Sequence, residues 1–99
     1  MLYAIIGTDA PGSLETRRRV RAAHLERLRA LQAEGRLVLA GPLPAVDSPD
    51  PGPAGFTGSL IVAEFPSREA ATAWVGEDAY VREGVFSSVE VRPFLQVLP

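Results

Sequence analysis

Strand-like and helix-like hydrophobic periods follow one another in a set order along this chain, and that order constrains its fold more than any other feature. Apolar residues alternate with a period of two in the strand-like segments and recur every three to four residues in the helix-like ones. The predicted elements are, in chain order, a strand over Leu2–Thr8, a helix over Leu14–Glu34, strands over Leu37–Ala40 and Thr57–Phe65, a helix from Arg68 to about Val75, a short turn through Glu83 that Asp78 caps, and a strand over Phe86–Val97.

The order β-α-β-β-α-β predicts a single α+β domain over residues 1–99. This is the ferredoxin-like arrangement, in which a four-stranded antiparallel sheet carries two helices on one face. The predicted helix ends agree with this order, because Ser13 and Ser67 stand at N-cap positions. Gly35 and Gly76 follow the two helices as C-terminal stops.

Both faces of the predicted sheet are apolar, although helices on one side cover only one face. In the first strand Leu2, Ala4 and Ile6 alternate with Tyr3 and Ile5, so each face receives apolar side chains. At about 25 cal/mol per Å² of apolar area, leaving the second face in water would forfeit several kcal/mol. We therefore expect a homodimer in which the partner subunit covers the sheet face that the helices leave open.

Composition and charge exclude several classes of function. The net charge of −2 provides no basic surface for nucleic acid, and no apolar run approaches the roughly 20 residues of a membrane-spanning helix. Cysteine and lysine are both absent, which excludes thiolate chemistry, disulfides and Schiff bases on lysine. The first residues lack the charged region of a secretory signal. We expect a cytoplasmic protein that binds neither nucleic acid nor a membrane.

The main irregular stretch runs from Gly41 to Phe56, between two strands that a short hairpin could join. Loops longer than about 12–15 residues are uncommon in compact domains unless they serve a function. Its five prolines restrict the conformations of this stretch. Two interpretations stay open, namely a wall, lid or arm that covers a pocket or crosses the dimer, and a tolerated surface insertion.

The first helix carries polar residues on the face that is expected to be buried. At 100° per residue, one side of the helix collects Leu14, Arg17, Val20, Arg21, His24, Leu25, Leu28 and Leu31. Arg17, Arg21 and His24 are spaced by four and three residues, so they stack on one ridge. His24 is the only histidine of the chain, and histidine is the side chain that most readily exchanges protons near neutral pH. The ridge is either a proton-transfer site that attracts an anion, or a core histidine beside arginines that reach solvent.

Short motifs over nearly the whole chain resemble those of one family, the YciI-like (YCII-related) proteins. They are Leu2-Tyr3, Val20-Arg21-Ala22-Ala23-His24-Leu25, Glu34-Gly35-Arg36-Leu37, Ala40-Gly41-Pro42, Asp47-Ser48, Gly55-Phe56-Thr57-Gly58-Ser59, Asp78-Ala79-Tyr80 and Arg92-Pro93-Phe94. Ala22 and Ala79 depart from the resemblance, since close members tend to carry proline there. The resemblance implies a ferredoxin-like dimer of the dimeric α+β barrel kind. It also implies an active site built on a histidine and an aspartate, which correspond here to His24 and Asp78.

A carboxylate bound to one nitrogen of an imidazole fixes its tautomer and leaves the other nitrogen free for proton transfer. Asp78 would play this part, although its position before a helical turn also fits a simple N-cap. We expect Arg17, Arg21, Ser59 and Tyr80 to bind substrate. Ser59 lacks the surroundings of a nucleophile elbow, so we expect it to form a hydrogen bond rather than to attack a substrate.

The function we expect is general acid/base proton transfer by His24 and Asp78 on a small, anionic organic substrate. Related folds include isomerases and dehydrochlorinases that work without a cofactor, which is an analogy from fold and family. One imidazole per chain falls short of a zinc site, so we expect neither metal nor cofactor. Two alternatives stay open: a dimer that binds a small metabolite without catalysis, and a structural dimerisation domain.

Overall fold

A computed structural model describes all 99 residues, which form four strands, three α-helices and a short 3₁₀ helix over Gly52–Ala54. Their bounds are β1 Leu2–Asp9, α1 Leu14–Ala33, β2 Leu37–Pro44, β3 Phe56–Glu64, α2 Arg68–Gly76, α3 Ala79–Arg82 and β4 Phe86–Phe94. The predicted order of strands and helices is confirmed, and the short turn predicted after Asp78 forms α3.

The four strands form one antiparallel sheet in the order β2-β3-β1-β4. β1 lies in the interior of the sheet, where Tyr3 pairs with Ala63 of β3 and with Pro93 of β4. Residues of α1 and α2 share one hydrophobic core with the strands, so both helices pack on the same face. The core includes Tyr3, Ile5, Leu28, Leu31, Ile61, Ala63, Phe65, Ala71 and Val75. The predicted ferredoxin-like α+β fold is therefore confirmed.

The opposite face of the sheet is also apolar, and the helices do not cover it. Leu2, Ala4 and Ile6 of β1 point to this face, because Tyr3 and Ile5 point into the core. Towards the margins of the same face, the exposed apolar side chains are Leu39 (48%), Leu43 (40%) and Phe94 (40%). The second face is thus apolar, as the alternation in the sequence predicts.

β2 is longer than predicted. It continues to Pro44 instead of ending at Ala40, which shortens the irregular stretch to residues 45–55. β2 pairs with β3 on one side only, so it forms an edge of the sheet. An edge strand tolerates proline, because backbone nitrogens on its outer side have no ladder hydrogen bond to lose.

β4 is shorter than predicted. It ends at Phe94 instead of Val97, and Phe94 pairs with Leu2, the first residue of β1. Beyond Phe94 the neighbouring strand is absent, so the apolar residues that follow have no backbone partners in this sheet.

The helix ends show which predicted caps form. The Ser67 hydroxyl accepts a hydrogen bond from Ala70 N–H at 3.1 Å, and Gly35 adopts the left-handed φ of +73° typical of a C-terminal stop. Ser13 precedes α1 as predicted, but its side chain makes no capping bond because its backbone is helical rather than extended (φ −90°, ψ 0°). The capping prediction for Ser13 is therefore wrong. None of the helices is long and apolar enough to cross a membrane.

Candidate active site

A short hydrogen bond joins His24 and Asp78, the two residues of the predicted dyad. His24 lies in the middle of α1 and Asp78 immediately precedes α3. Imidazole Nδ1 lies 2.8 Å from Asp78 Oδ1, and the two residues are 6% and 1% exposed. The fold therefore brings together a histidine and an aspartate that lie 54 residues apart in the chain.

Asp78 is also the N-cap of α3. Its Oδ1 accepts a second hydrogen bond, from the backbone N–H of Tyr80 at 2.9 Å, and its own backbone is extended as N-cap residues require. The capping and dyad interpretations of Asp78 are thus compatible. The start of the helix fixes the carboxylate that holds the imidazole.

The partners of Asp78 keep its carboxyl group ionised. Burial alone raises the pKa of Asp78, but the hydrogen bond and charge of His24, the N–H of Tyr80 and the charge of Arg27 outweigh burial and lower that pKa below its ordinary value of 3.8. An ionised carboxylate can only accept hydrogen bonds. Nδ1 of His24 is therefore the donor, which makes Nε2 the proton-accepting nitrogen when the imidazole is neutral.

Nε2 of His24 reaches the accessible surface. The hydrogen bond of the imidazole to protein is made by Nδ1, and Nε2 has no partner. Every fully enclosed side-chain nitrogen or oxygen in the chain does have a hydrogen-bond partner, so Nε2 is not fully enclosed. A general base needs this arrangement, with one nitrogen held and the other open to a substrate.

The ring of Tyr80 stacks on both His24 and Arg17. Its centroid lies 3.9 Å from the imidazole centroid with 9° between the planes, and the guanidinium carbon of Arg17 lies 4.7 Å away. Burial raises the pKa of Tyr80 above its ordinary value of 10.0, although the charges of Arg17 and Arg21 act in the opposite direction. The hydroxyl consequently stays protonated at neutral pH and can donate a hydrogen bond.

Arg17 is buried and bound on several sides. Its Nε and Nη2 each lie 2.9 Å from an oxygen of Asp9, which makes a bidentate ion pair. Nη2 also donates to Ser59 Oγ at 2.9 Å and to Gly58 O at 3.1 Å. Because Asp9 neutralises its charge, Arg17 is not the free cation that the ridge predicted. Its contacts instead position Tyr80 and Ser59.

Ser59 and Arg21 differ in how they relate to the dyad. Ser59 is 3% exposed and binds Arg17 rather than His24, so no Ser59-His24-Asp78 relay is assembled. Arg21 was predicted on the buried side of the helix, but it is exposed and forms no ion pair. Its charge acts on the hydroxyl of Tyr80, as described above. Arg21 is therefore an exposed, unpaired cation three residues before His24 on α1.

Sequence reasoning missed two residues of this site, Asp9 and Arg27. Arg27 follows His24 by three residues, so the ridge spacing could have included it. Its guanidinium carbon lies 4.4 Å from the ring centroid of Trp74, and its Nη1 lies 3.2 Å from Asp78 Oδ2. Asp9 carried no local signal, because its pairing with α1 depends on the completed fold.

The carboxylates around the dyad are paired with arginines rather than gathered as metal ligands. The carboxylates of Asp9 and Asp78 each bind an arginine, Arg17 and Arg27 respectively. No group of three or more His, Asp or Glu side chains comes together that could hold a metal ion. The chemistry that these side chains offer is the acceptance and donation of protons.

Comparison with known proteins identifies the family. The family model of the YCII-related domain matches residues 1–95. The chain belongs to this family. The protein YciI of Escherichia coli (strain CFT073) is 59% identical over 97 residues, which are 98% of this chain and 99% of that protein. An uncharacterised protein of Haemophilus influenzae is 50% identical over the same shares of both chains.

A solved structure shares the YCII-related fold and a third of the sequence. It is 5-chloro-2-hydroxyhydroquinone dehydrochlorinase (TftG) from Burkholderia phenoliruptrix, in complex with 2,5-dihydroxybenzoquinone. The TM-score is 0.83 and the identity 32%, with 96% of this chain and 94% of that chain covered. PA3566 from Pseudomonas aeruginosa, at TM-score 0.52 and 16% identity, shows likeness in fold alone. The structural neighbours are dimeric α+β barrel proteins, as the sequence resemblance implies.

Proposed function

We propose that this YCII-related protein is a small acid–base enzyme. His24 and Asp78 move a proton on a small, anionic organic substrate, in a reaction of the isomerase, lyase or dehydrochlorinase kind. The observation that carries the proposal is the 2.8 Å hydrogen bond between His24 Nδ1 and Asp78, which leaves Nε2 open as a base. The 32% identity to a dehydrochlorinase over 96% of the chain supports the same class of reaction.

The proton transfer takes place at Nε2. The neutral imidazole accepts a proton from a carbon or oxygen atom of the substrate. In the dehydrochlorination of a chlorinated hydroquinone, the substrate first tautomerises to a ketone with a hydrogen on the chlorine-bearing carbon. Removal of a remaining hydroxyl proton then forms a second C=O bond, and chloride departs with the electron pair of the C–Cl bond. In an isomerisation, the imidazolium returns the proton to a different substrate atom. The carboxylate of Asp78 stabilises the imidazolium in both cases, across the 2.8 Å hydrogen bond.

An exposed cation beside the imidazole suits an anionic substrate. Arg21 is exposed and offers an unpaired positive charge. It would hold a phenolate or carboxylate oxygen close to Nε2. Tyr80 is 1% exposed and its ring is stacked 3.9 Å from His24, so in this proposal it orients the imidazole. A chlorinated hydroxyhydroquinone, the compound in the name of TftG, has acidic hydroxyl groups and fits this pattern.

We also propose that the protein is a homodimer, with a second copy covering the open face of the sheet. Exposed apolar side chains such as Leu39 and Phe94 extend the half-buried apolar residues of β1 into one surface. Contiguous apolar surfaces of this kind are typical of interfaces in soluble proteins. The dimeric α+β barrel neighbours support a partner on this face.

Chloride release from 5-chloro-2-hydroxyhydroquinone tests the enzymatic proposal. We expect His24→Asn to lower kcat/KM by roughly 10²–10⁴-fold, the usual effect of removing a general base. Asp78→Asn should also lower it, because a neutral amide does not stabilise the imidazolium. Glu69→Gln, at an exposed position of α2 with no ion pair, is the matched control and should retain activity.

Circular dichroism of each variant separates loss of catalysis from loss of folding. The activities of wild type and His24→Asn should also be compared on small hydroxylated acids and lactones. A wild-type protein that is no faster than His24→Asn on any of these compounds would contradict the proposed function.

A further inference from the structure

Arg27 completes the set of bonds around the carboxylate of Asp78. Oδ1 is bound by the imidazole of His24 and by the backbone N–H of Tyr80, while Oδ2 is bound by Nη1 of Arg27 at 3.2 Å. Asp78 itself is 1% exposed. The carboxylate therefore cannot rotate without breaking one of these bonds.

The guanidinium of Arg27 is held in place from a second side. It lies over the ring of Trp74, with 4.4 Å between the guanidinium carbon and the ring centroid. The side chain is 25% exposed, so the positive charge lies between solvent and the buried carboxylate. Planar guanidinium groups suit this combination of an aromatic face and a carboxylate better than lysine does.

We propose that Arg27 is a positioning residue of the dyad, which fixes the Asp78 carboxylate and offsets its charge, and so favours the proton-accepting form of His24. This role rests on the acid–base function proposed above. A buried carboxylate is costly without a cation beside it. Without Arg27, the buried carboxylate would favour the protonated imidazole more strongly, and a protonated imidazole is not a base.

The other charged groups around His24 do not replace Arg27. On α1, Arg17 is paired with Asp9 of β1, and Arg21 is exposed. From α3 and the residue before it, Tyr80 and Asp78 contact the imidazole. Further charged side chains on α1, on α3 and beside α3, all exposed, are Arg19, Glu26, Glu77, Arg82 and Glu83.

An NMR pH titration of the His24 imidazole measures the effect of Arg27, and its signals are unambiguous because the chain has one histidine. Arg27→Gln removes a positive charge two hydrogen bonds from the ring. We expect the midpoint of the titration to rise by roughly 0.5–1.5 pH units, from Coulomb's law at an effective dielectric constant of about 20–80. Arg27→Lys retains the charge but not the planar guanidinium, so its midpoint should lie between those of wild type and Arg27→Gln.

Arg29→Gln is the matched control, because it removes the same charge from an exposed position of the same helix. Screening by solvent should keep its effect below about 0.3 pH units. Equal midpoints for Arg27→Gln and Arg29→Gln would overturn the proposal, and so would an Arg27→Lys variant that shifts as far as Arg27→Gln.

The wild-type protein supplies the test if Arg27→Gln does not fold. The guanidinium ¹⁵N signals of Arg27 should move with the same midpoint as the imidazole of His24, because both groups bind one carboxylate. Arg27 signals that ignore this midpoint would overturn the proposal. The titration needs no substrate. If wild type is inactive but Arg27→Gln shifts the midpoint, the inactivity refutes the proposed enzymatic function and the shift still supports the role of Arg27.

Discussion

Replacement of Asp9 by alanine probes how the inner side of the candidate site is held together. Asp9 binds Arg17 through two contacts of 2.9 Å, and the two side chains are 5% and 6% exposed. Without Asp9, the guanidinium keeps only the neutral acceptors Ser59 Oγ and Gly58 O. Removing one partner of a buried ion pair typically costs about 3–5 kcal/mol. We expect Asp9→Ala to lower the free energy of unfolding by that amount, a large share of the stability of a small domain.

A double variant distinguishes the effect of losing the ion pair from the effect of leaving Arg17 charged and unpaired, and a second variant is the control. The double variant Asp9→Ala/Arg17→Met removes both charges, and apolar replacement of a buried pair is often close to neutral. It should therefore be more stable than Asp9→Ala alone. Asp47→Ala, at an exposed position with no ion pair, should change the stability by less than about 0.5 kcal/mol.

Urea denaturation at one fixed protein concentration measures these differences, with unchanged m-values as the sign that the unfolding reaction is the same. Thermal denaturation should show a fall in Tm of at least about 12 °C for Asp9→Ala, at about 4–8 °C per kcal/mol for a domain of this size. An Asp9→Ala protein within about 1 kcal/mol of Asp47→Ala would refute the reasoning, because the expected loss is several times larger. A double variant less stable than Asp9→Ala would refute it too.

The remaining predictions concern pH and assembly. The pKa of Asp78 lies below its unfolded value of 3.8, so this group stabilises the fold above that pH. The stabilisation is lost as the pH falls below 3.8. The free energy of unfolding in urea should therefore decrease less on acidification in Asp78→Asn than in wild type. The pKa of Tyr80 lies above 10.0, so its protonated hydroxyl stabilises the fold below pH 10.0. This stabilisation is lost as the pH rises towards the folded pKa. Tyr80→Phe should lose less stability than wild type over the same rise in pH. Sedimentation equilibrium should give twice the chain mass for wild type and a lower mass for Leu39→Arg, whereas a wild-type monomer would rule out the proposed dimer.

Local patterns predicted those parts of the fold that depend on neighbours in sequence. The strand and helix periods, the Ser67 cap and the left-handed Gly35 each act within a few residues. The ends of β2 and β4 were predicted less well, because a strand extends only as far as its partner does. Phe94 pairs with the first residue of β1, so β4 stops there whatever the hydrophobicity of the following residues.

The candidate site shows the same division. The helical period correctly placed Arg17 and His24 on the buried side of α1, but it could not reveal that Asp9 neutralises Arg17. The period also placed Arg21 on that side, although its long side chain reaches solvent. Pairing of His24 with Asp78 depends on the packing of α1 against α3, and spacing along the chain holds no information about it. That expectation came from family resemblance instead.

Titration of 2,5-dihydroxybenzoquinone into the protein, followed through the imidazole signals of His24, tests most directly whether this histidine faces a site for small acidic molecules. The compound is the one bound to TftG, and it presents acidic hydroxyl groups. We predict a saturable shift of the His24 signals in wild type and weaker binding in Arg21→Gln, which lacks the unpaired cation. His24 signals that stay unchanged up to millimolar ligand would contradict a substrate site at the dyad.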